Sequence, residues 1–239
     1  AGYCEDNAVK LPELAVQYPD FAVWQRGWLA GKELKRQLSY WEHYLSGAPA
    51  LLQLPTDRPR PAIQTFRGAH INRTLPVDLG ARLRQLSEAE DATLFMTLLT
   101  AFSALLNKYS GSDDIVIGTP IAGRTRSEIE GLIGFFVNTL AMRVNLAGDP
   151  AFVDALSRVR RAALDAYAHQ ELPFEKLVEE LQPDRDTSHP PIFQVLFVLQ
   201  ENLSDHIEFY GTEVTPLDFE LGSAKFDLSM FMVEFPEGL

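Results

Sequence analysis

Residues 93–118, TLFMTLLTAFSALLNKYSGSDDIVIG, decide the fold class. Leu94, Phe95, Met96, Leu98, Leu99, Phe102, Leu105 and Leu106 are spread nearly all round a helical wheel, so a helix over about 93–109 must be buried on several sides. Ser110-Gly111 ends it, and Ile115-Val116-Ile117-Gly118 reads as a short buried strand. Downstream, Phe135 to Leu146 is apolar on both strand faces except at Asn138, Thr139, Arg143 and Asn145, which predicts a strand covered on both sides. A helix is predicted from about Ala151 to Ala168, with Phe152, Leu156, Val159, Ala163 and Ala166 in step. Pro173 suits the first turn of another, carrying Phe174, Leu177, Val178 and Leu181. A strand follows over Ile192–Gln200, and two further pieces near 207–216 and 226–235 finish the chain.

Upstream, two helical pieces are expected within 20–46. Asp20 is placed to cap the first, whose Phe21, Trp24 and Trp28 share a face. Leu34, Leu38, Trp41 and Leu45 line the second, with Lys32, Glu33, Lys35, Arg36 and Glu42 on its wet side. Prolines 49, 55, 59 and 61 forbid a helix and favour an extended connection, packed down by Leu51, Leu52, Leu54, Ile63 and Phe66. Alternation over 70–75 predicts a strand, and Pro76 starts a helix with Leu79, Leu83 and Leu86 in a narrow stripe. The sum is an α/β structure: a mixed sheet with helices packed on it.

Composition narrows the function. Thirty-three acidic against 21 basic side chains leave a formal charge of −12, the wrong sign for polyphosphate or an anionic membrane surface. A single cysteine, Cys4, excludes an internal disulfide framework and a Cys-based zinc cluster. Charges interrupt every apolar run before the length of a bilayer span, and Ala1–Asp6 has no signal-peptide pattern, so a cytoplasmic location is expected. The chain has no G-x-G-x-x-G or G-x-x-x-x-G-K-[ST] phosphate loop, no H-E-x-x-H and no G-x-S-x-G. His43, His70, His169, His189 and His206 are scattered, so neither a metal nor a triad is indicated. Residue chemistry alone assigns no reaction.

Four separated patches carry a resemblance. Tyr18-Pro19-Asp20-Phe21-Ala22-Val23-Trp24 resembles Y-x-D-[YF]-A-V-W, and Ile133 to Leu140, ending at Arg143, resembles I-G-x-F-V-N-T-x-x-x-R. His169-Gln170-Glu171-Leu172-Pro173-Phe174-Glu175 resembles H-Q-[DE]-x-P-F-E, and Arg185-Asp186-Thr187-Ser188 begins like R-D-x-S-R-N-P-L. These are motifs of nonribosomal peptide synthetase condensation domains, and here they stand in that family's order. His189-Pro190 occupies the place of the usual Arg-Asn, which removes an amide from that position and stiffens entry to the next strand.

The resemblance implies one lobe of a chloramphenicol acetyltransferase-like pseudo-dimer. Carrier domains bearing phosphopantetheine thioesters would enter a tunnel between the lobes, and the acceptor's amine would attack the donor's thioester to form an amide. No cofactor would be bound directly, and an adenylation domain would be adjacent. The family's catalytic H-H-x-x-x-D-G does not occur in these residues, so the chain is expected to be the C-terminal lobe, with no catalytic residue of its own and inactive alone. Residues 119–140 would be a floor loop reaching towards the N-terminal lobe, and 200–228 a latch.

Asn138 and Thr139, polar within an apolar strand, need partners: a tunnel wall supplies them, and so does a backbone-capping role. Arg143 would orient a phosphate or carboxylate, or form a structural ion pair. Tyr18, Asp20, Trp24, Pro173, Phe174 and Glu175 are expected to be structural, His169 to cap a helix C-terminus, and Arg185–Asp186 to pair locally. Other classes are a catalytically idle, condensation-like module that recruits a partner protein, and a stand-alone coenzyme A acyltransferase, which the missing histidine motif disfavours. Epimerisation-type relatives share the fold, but the I-G-F-F-V-N-T version fits condensation better.

Overall fold

The computed structural model describes residues 13–183, 186–201 and 222–235. Its central helix, α4 (Leu94–Ser110), starts at Thr93, whose hydroxyl oxygen accepts the Met96 N–H at 3.2 Å. Leu99, Phe102 and Leu106 are buried along it, and so are Thr97, Thr100 and Ser103. The last two are tolerated because their hydroxyls donate to the carbonyls of Met96 and Leu99 at 2.7 Å, one turn back. Ser87 donates to the Leu83 carbonyl at 2.8 Å, so the 2.7 Å bond between Ser87 and Thr97 has Thr97 as donor. That pair ties α3 (Val77–Ala89) to α4.

Four strands form one mixed sheet: β1 (Asp114–Ile121), β2 (Asn138–Asn145), β3 (Val195–Glu201) and β4 (Leu228–Glu234), in the order β2-β1-β3-β4. β1 and β2 are antiparallel, in a register running from Asp114 opposite Asn145 to Ile121 opposite Asn138. β3 is parallel to β1, with Leu196 opposite Gly118, and β4 is parallel to β3. β3 therefore runs antiparallel to β2 with β1 between them, and the connection from β2 to β3 carries α6 (Phe152–Tyr167) and α7 (Phe174–Leu181). α4 and α6 pack on each other and on the β1–β2 pair. The core gathers Ile117, Leu140, Met142, Leu156, Val159 and Phe197, each at most 1% exposed. Each such side chain contributes about 1.5–3 kcal/mol by leaving water.

α2 (Gly31–Leu45) buries Gln37, Trp41 and Leu45. The proline-rich stretch after it is held by Gln194, which accepts the Leu52 N–H at 2.9 Å and donates to the Ala50 and Pro190 carbonyls at 3.1 Å.

Several elements differ from expectation; β3, for one, starts at Val195 rather than Ile192. α1 (Tyr18–Trp28) begins two residues before Asp20; Gln17 is its N-cap, and Asp20 accepts the Gln17 N–H at 2.8 Å from the third helical position. Residues 70–75 are not a strand: among the described residues no strand lies beside them, and Ile71 is 79% exposed. Alternation specifies a strand only where a neighbour completes the ladder. β2 starts at Asn138, because Phe136 turns away into a second cluster with Ile129 and Leu132. The connection between β1 and β2 is therefore 122–137, shorter at both ends than the 119–140 loop expected, and contains the short helix α5 (Ser127–Glu130). Of the expected latch over 200–228, residues 202–221 lie outside the described residues, as does the piece near 207–216.

Candidate functional site

Three of the four sequence patches meet at the end of α6. Its last turn leaves backbone carbonyls without helical partners. His169 Nδ1 lies 2.8 Å from one of them, Asp165 O, and His169 Nε2 lies 2.9 Å from Arg36 Nη1. A guanidinium can only donate, so Nε2 accepts and Nδ1 carries the hydrogen that caps Asp165. The cation at this helix end is thus Arg36, with the imidazole between it and the backbone. The ring stacks on Tyr40 at 3.9 Å and 5°, and the His169 carbonyl accepts the Trp41 indole N–H at 3.0 Å.

The next turn is built around Asn138. Its Nδ2 donates to the carbonyls of Gln170 and Leu172, both at 2.8 Å, while its Oδ1 accepts the N–H of Thr139 at 2.8 Å and of Phe174 at 3.0 Å. Phe174 is the first residue of α7 and follows Pro173, which has no side-chain oxygen with which to cap. Asn138 is therefore an N-cap delivered from another strand. Two donors and two acceptor positions are its whole capacity, and all are spent on main chain. Of the two roles open to Asn138, backbone capping is the one this geometry fills; no hydrogen bond remains for a channel substrate.

Arg143 resolves in the same direction. Its Nε and Nη2 grip Asp114 Oδ1 and Oδ2 at 2.9 and 2.7 Å, while Nη1 donates to the Tyr44 and Ser46 carbonyls at 2.8 Å. Tyr44 closes the arrangement by donating to the Arg143 carbonyl at 2.9 Å and accepting its N–H at 2.8 Å. These contacts clamp α2 to the sheet and are those of the structural ion pair, one of the two roles expected of Arg143. Burial pushes the Tyr44 phenol up to about 12 and raises Tyr40 as well. Thr139, opposite Pro120, is half-buried.

Beside this turn lies a cleft of about 460 Å³. Trp24 and Trp28 stack at 5.6 Å and 19°, and the Arg126 guanidinium sits 4.2 Å over Trp24. Arg36, Tyr167, Gln170 and Glu171 form the facing wall. Thr125 donates to Glu171 Oε1 across the opening at 2.9 Å. Tyr18 donates to the Phe135 carbonyl at 3.0 Å, which joins the first patch to the second. Glu175 is exposed in the first turn of α7, and Phe174 packs on Phe193 at 5.3 Å.

The fourth patch is held elsewhere. Arg185 lies outside the described residues. Asp186 accepts the Ser188 N–H at 2.7 Å, and hydrogen bonds from Ser188 hold its carboxyl below the usual range. Among the described residues, His189 Nε2 lies 3.5 Å from its carboxylate. Arg60, from the proline-rich stretch, donates to the Ser188 carbonyl at 3.2 Å and pairs with Asp227.

Sequence reading overlooks Arg36, Tyr40 and Tyr44. Arg36 falls on the wet side of α2 by hydrophobic pattern, yet the spacing 36–40–44 puts all three on one helix face, and that is the available signal. Nothing local marks Thr125 and Arg126, which reach the cleft only because β1 and β2 pair.

Comparison with known proteins supplies what residue chemistry does not. A condensation domain family model matches residues 3–239. A linear gramicidin synthase of Brevibacillus parabrevis is 54% identical over 96% of this chain, and malpinin synthetase of Mortierella alpina 50% over 99%. The chain spans only 3% of the length of each. Among solved structures, the X-domain from teicoplanin biosynthesis superposes with a TM-score of 0.84 at 28% identity, over 98% of this chain and 54% of its own. A four-domain nonribosomal peptide synthetase bound to AMP and glycine does so with a TM-score of 0.79 at 25% identity, over 87% of this chain and 17% of its own. With the motifs in order, the mixed sheet and a family match over nearly all its length, the chain belongs to the condensation domain family of nonribosomal peptide synthetases.

Proposed function

We propose that the chain is the C-terminal lobe of a two-lobed condensation domain that forms an amide bond between two carrier-bound substrates. The observation that carries this is the family match over residues 3–239. The donor is an acyl, aminoacyl or peptidyl thioester on the phosphopantetheine arm of one carrier domain, and the acceptor is the free amine of an amino acid on another. Attack of the amine on the thioester carbonyl forms the C–N bond, expels the thiolate and lengthens the acceptor by the donor chain. An N-terminal lobe bearing the H-H-x-x-x-D-G histidine would position or deprotonate the amine. The lobe described here would contribute a tunnel wall, through the 122–137 connection, and part of the carrier-docking surface, in a cytoplasmic multidomain synthetase with an adjacent adenylation domain.

The clamps on Asn138 and Arg143 suit this reading. They stiffen the frame of β2, α2 and α7 without offering a reactive group, and a rigid frame serves substrate positioning. Superposition on 54% of the X-domain chain is what a single lobe would give.

The test mixes this chain with a separately expressed N-terminal lobe and two loaded carriers, and follows the acceptor carrier by intact-protein mass spectrometry. The acceptor should gain the donor's mass only when both lobes are present. Amide formation by this chain alone would overturn the division of labour.

A second reading has one observation behind it. The teicoplanin X-domain has also been solved in complex with OxyB, with a TM-score of 0.84 at 29% identity to this chain. On that reading the chain is an idle docking module, and the mixture yields no condensation product.

A further inference from the structure

The described residues build two hydrophobic clusters rather than one. The smaller consists of Ile129, Leu132 and Phe136, closed by Val16, Tyr18 and Phe21. It draws on α1 and the residues before it, and on the 122–137 connection. α1 contributes no fully buried side chain.

That small assembly is braced internally. The Phe136 ring meets Tyr18 edge-on at 5.2 Å and Phe21 at 4.8 Å. The Arg124 guanidinium lies 4.2 Å over the same ring and donates to the carbonyls of Ile129, Glu130 and Leu132. These bonds satisfy the end of a helix too short to hold itself. Two glycines of positive φ stand at its chain connections. Gly123 has φ +65° and packs so closely on Phe136 O that no Cβ would fit, while Gly31, at the junction of α1 and α2, has φ +55°. Both are backbone conformations that side chains other than glycine's rarely adopt.

The 460 Å³ cleft lies along the seam between this assembly and the rest of the lobe. Trp24, Trp28, Thr125 and Arg126 belong to one side; Arg36 and Glu171 belong to the other. Among the described residues, the side-chain hydrogen bond that spans the cleft is Thr125 to Glu171.

We propose that α1 and residues 122–137 are one rigid flap, hinged at Gly31 and Gly123, that opens and closes this cleft, with the Thr125–Glu171 hydrogen bond as its catch. Because the smaller cluster shares no buried residue with the main core, the flap moves without breaking either. This motion belongs to the lobe itself and does not depend on which thioester the domain accepts.

Two of the three tryptophans, Trp24 and Trp28, line the cleft, while Trp41 is 1% exposed, so acrylamide quenching of fluorescence reports on opening. Thr125→Val removes the donor to a charged acceptor and should raise the open-to-closed ratio about tenfold. Quenching should rise, while hydrogen exchange of 18–28 and 122–137 stays protected, because a rigid flap keeps its internal bonds. A disulfide between Thr125→Cys and Glu171→Cys, made with Cys4→Ser, should lower quenching below the parent's, and reduction should restore it. In a separate measurement, Phe136→Ala should accelerate exchange in both segments together and leave α4 and β1 unchanged. Quenching that ignores both the valine change and the disulfide overturns the proposal. So does a valine variant that loses exchange protection, or a Phe136→Ala response confined to one segment.

Discussion

Asn138→Ala removes four hydrogen bonds and leaves two carbonyls and two N–H groups of the 138–139 and 170–174 backbone to find water. Each intramolecular hydrogen bond contributes about 0.5–1.5 kcal/mol net, and loss of a helix cap alone costs about 0.5–2 kcal/mol. Asn138 is half-buried, so water recovers part of the loss, and the expected destabilisation is about 3 kcal/mol. At about 2–4 °C per kcal/mol for a chain of this size, the melting midpoint should fall by about 6–12 °C.

Asn138→Asp sharpens the test. The introduced carboxyl keeps the acceptor for Phe174 N–H but turns an oxygen towards the Gln170 and Leu172 carbonyls. That contact disfavours the ionised form and raises the folded-state pKa above the unfolded value of about 3.9. Below that pH both states are protonated and the ionisation penalty is absent. It accumulates as pH rises through the interval up to the folded pKa and is constant above it. Melting curves followed by circular dichroism between pH 4 and pH 7 should therefore show the aspartate variant losing ground to the alanine variant as pH increases. An alanine variant within about 1 °C of the parent, or an aspartate variant that tracks alanine at every pH, would refute the capping argument.

Two further outcomes follow from the same neighbourhood. Arg143→Lys keeps the charge but cannot grip Asp114 with two parallel bonds and also reach the Tyr44 and Ser46 carbonyls; it should cost about 2–3 kcal/mol in urea denaturation, and a change below about 0.5 kcal/mol would refute the clamp. Tyr44, pushed up to about 12 by burial, holds its proton in the fold beyond the unfolded value near 10, so stability should fall as pH rises from about 10 to about 12, and the phenolate absorbance lost in Tyr44→Phe should belong to a step near 12 rather than near 10.

The elements legible in the sequence are those whose burial is written in their own spacing. α4 is apolar all round, α6 and α7 carry complete stripes, and β1 is a run of β-branched residues between polar ones; each lies within a few residues of its predicted ends. The stretch 70–75 has equally good alternation, yet forms no strand and leaves 70–74 exposed, because a strand is a relation between two segments and no second one lies beside it among the described residues. The site was legible to a different degree. That Asn138 and Arg143 needed polar partners could be read from the apolar strand around them. Which partners could not, since a ligand and a carbonyl 32 residues away satisfy an amide equally well.

By itself, then, the sequence determined the class of fold, the family and the short list of residues with unmet polar demand, because hydrophobic period, glycine and proline placement and motif order are properties of the chain alone. Only the tertiary structure decided what those residues do. Pairing β1 with β2 carries Asn138 to the N–H of Phe174 and Arg143 to Asp114, and the same pairing sets Thr125 across the cleft from Glu171. Hydrogen bonds act over about 3 Å, so their partners are chosen by where the chain folds back, and no local pattern records that.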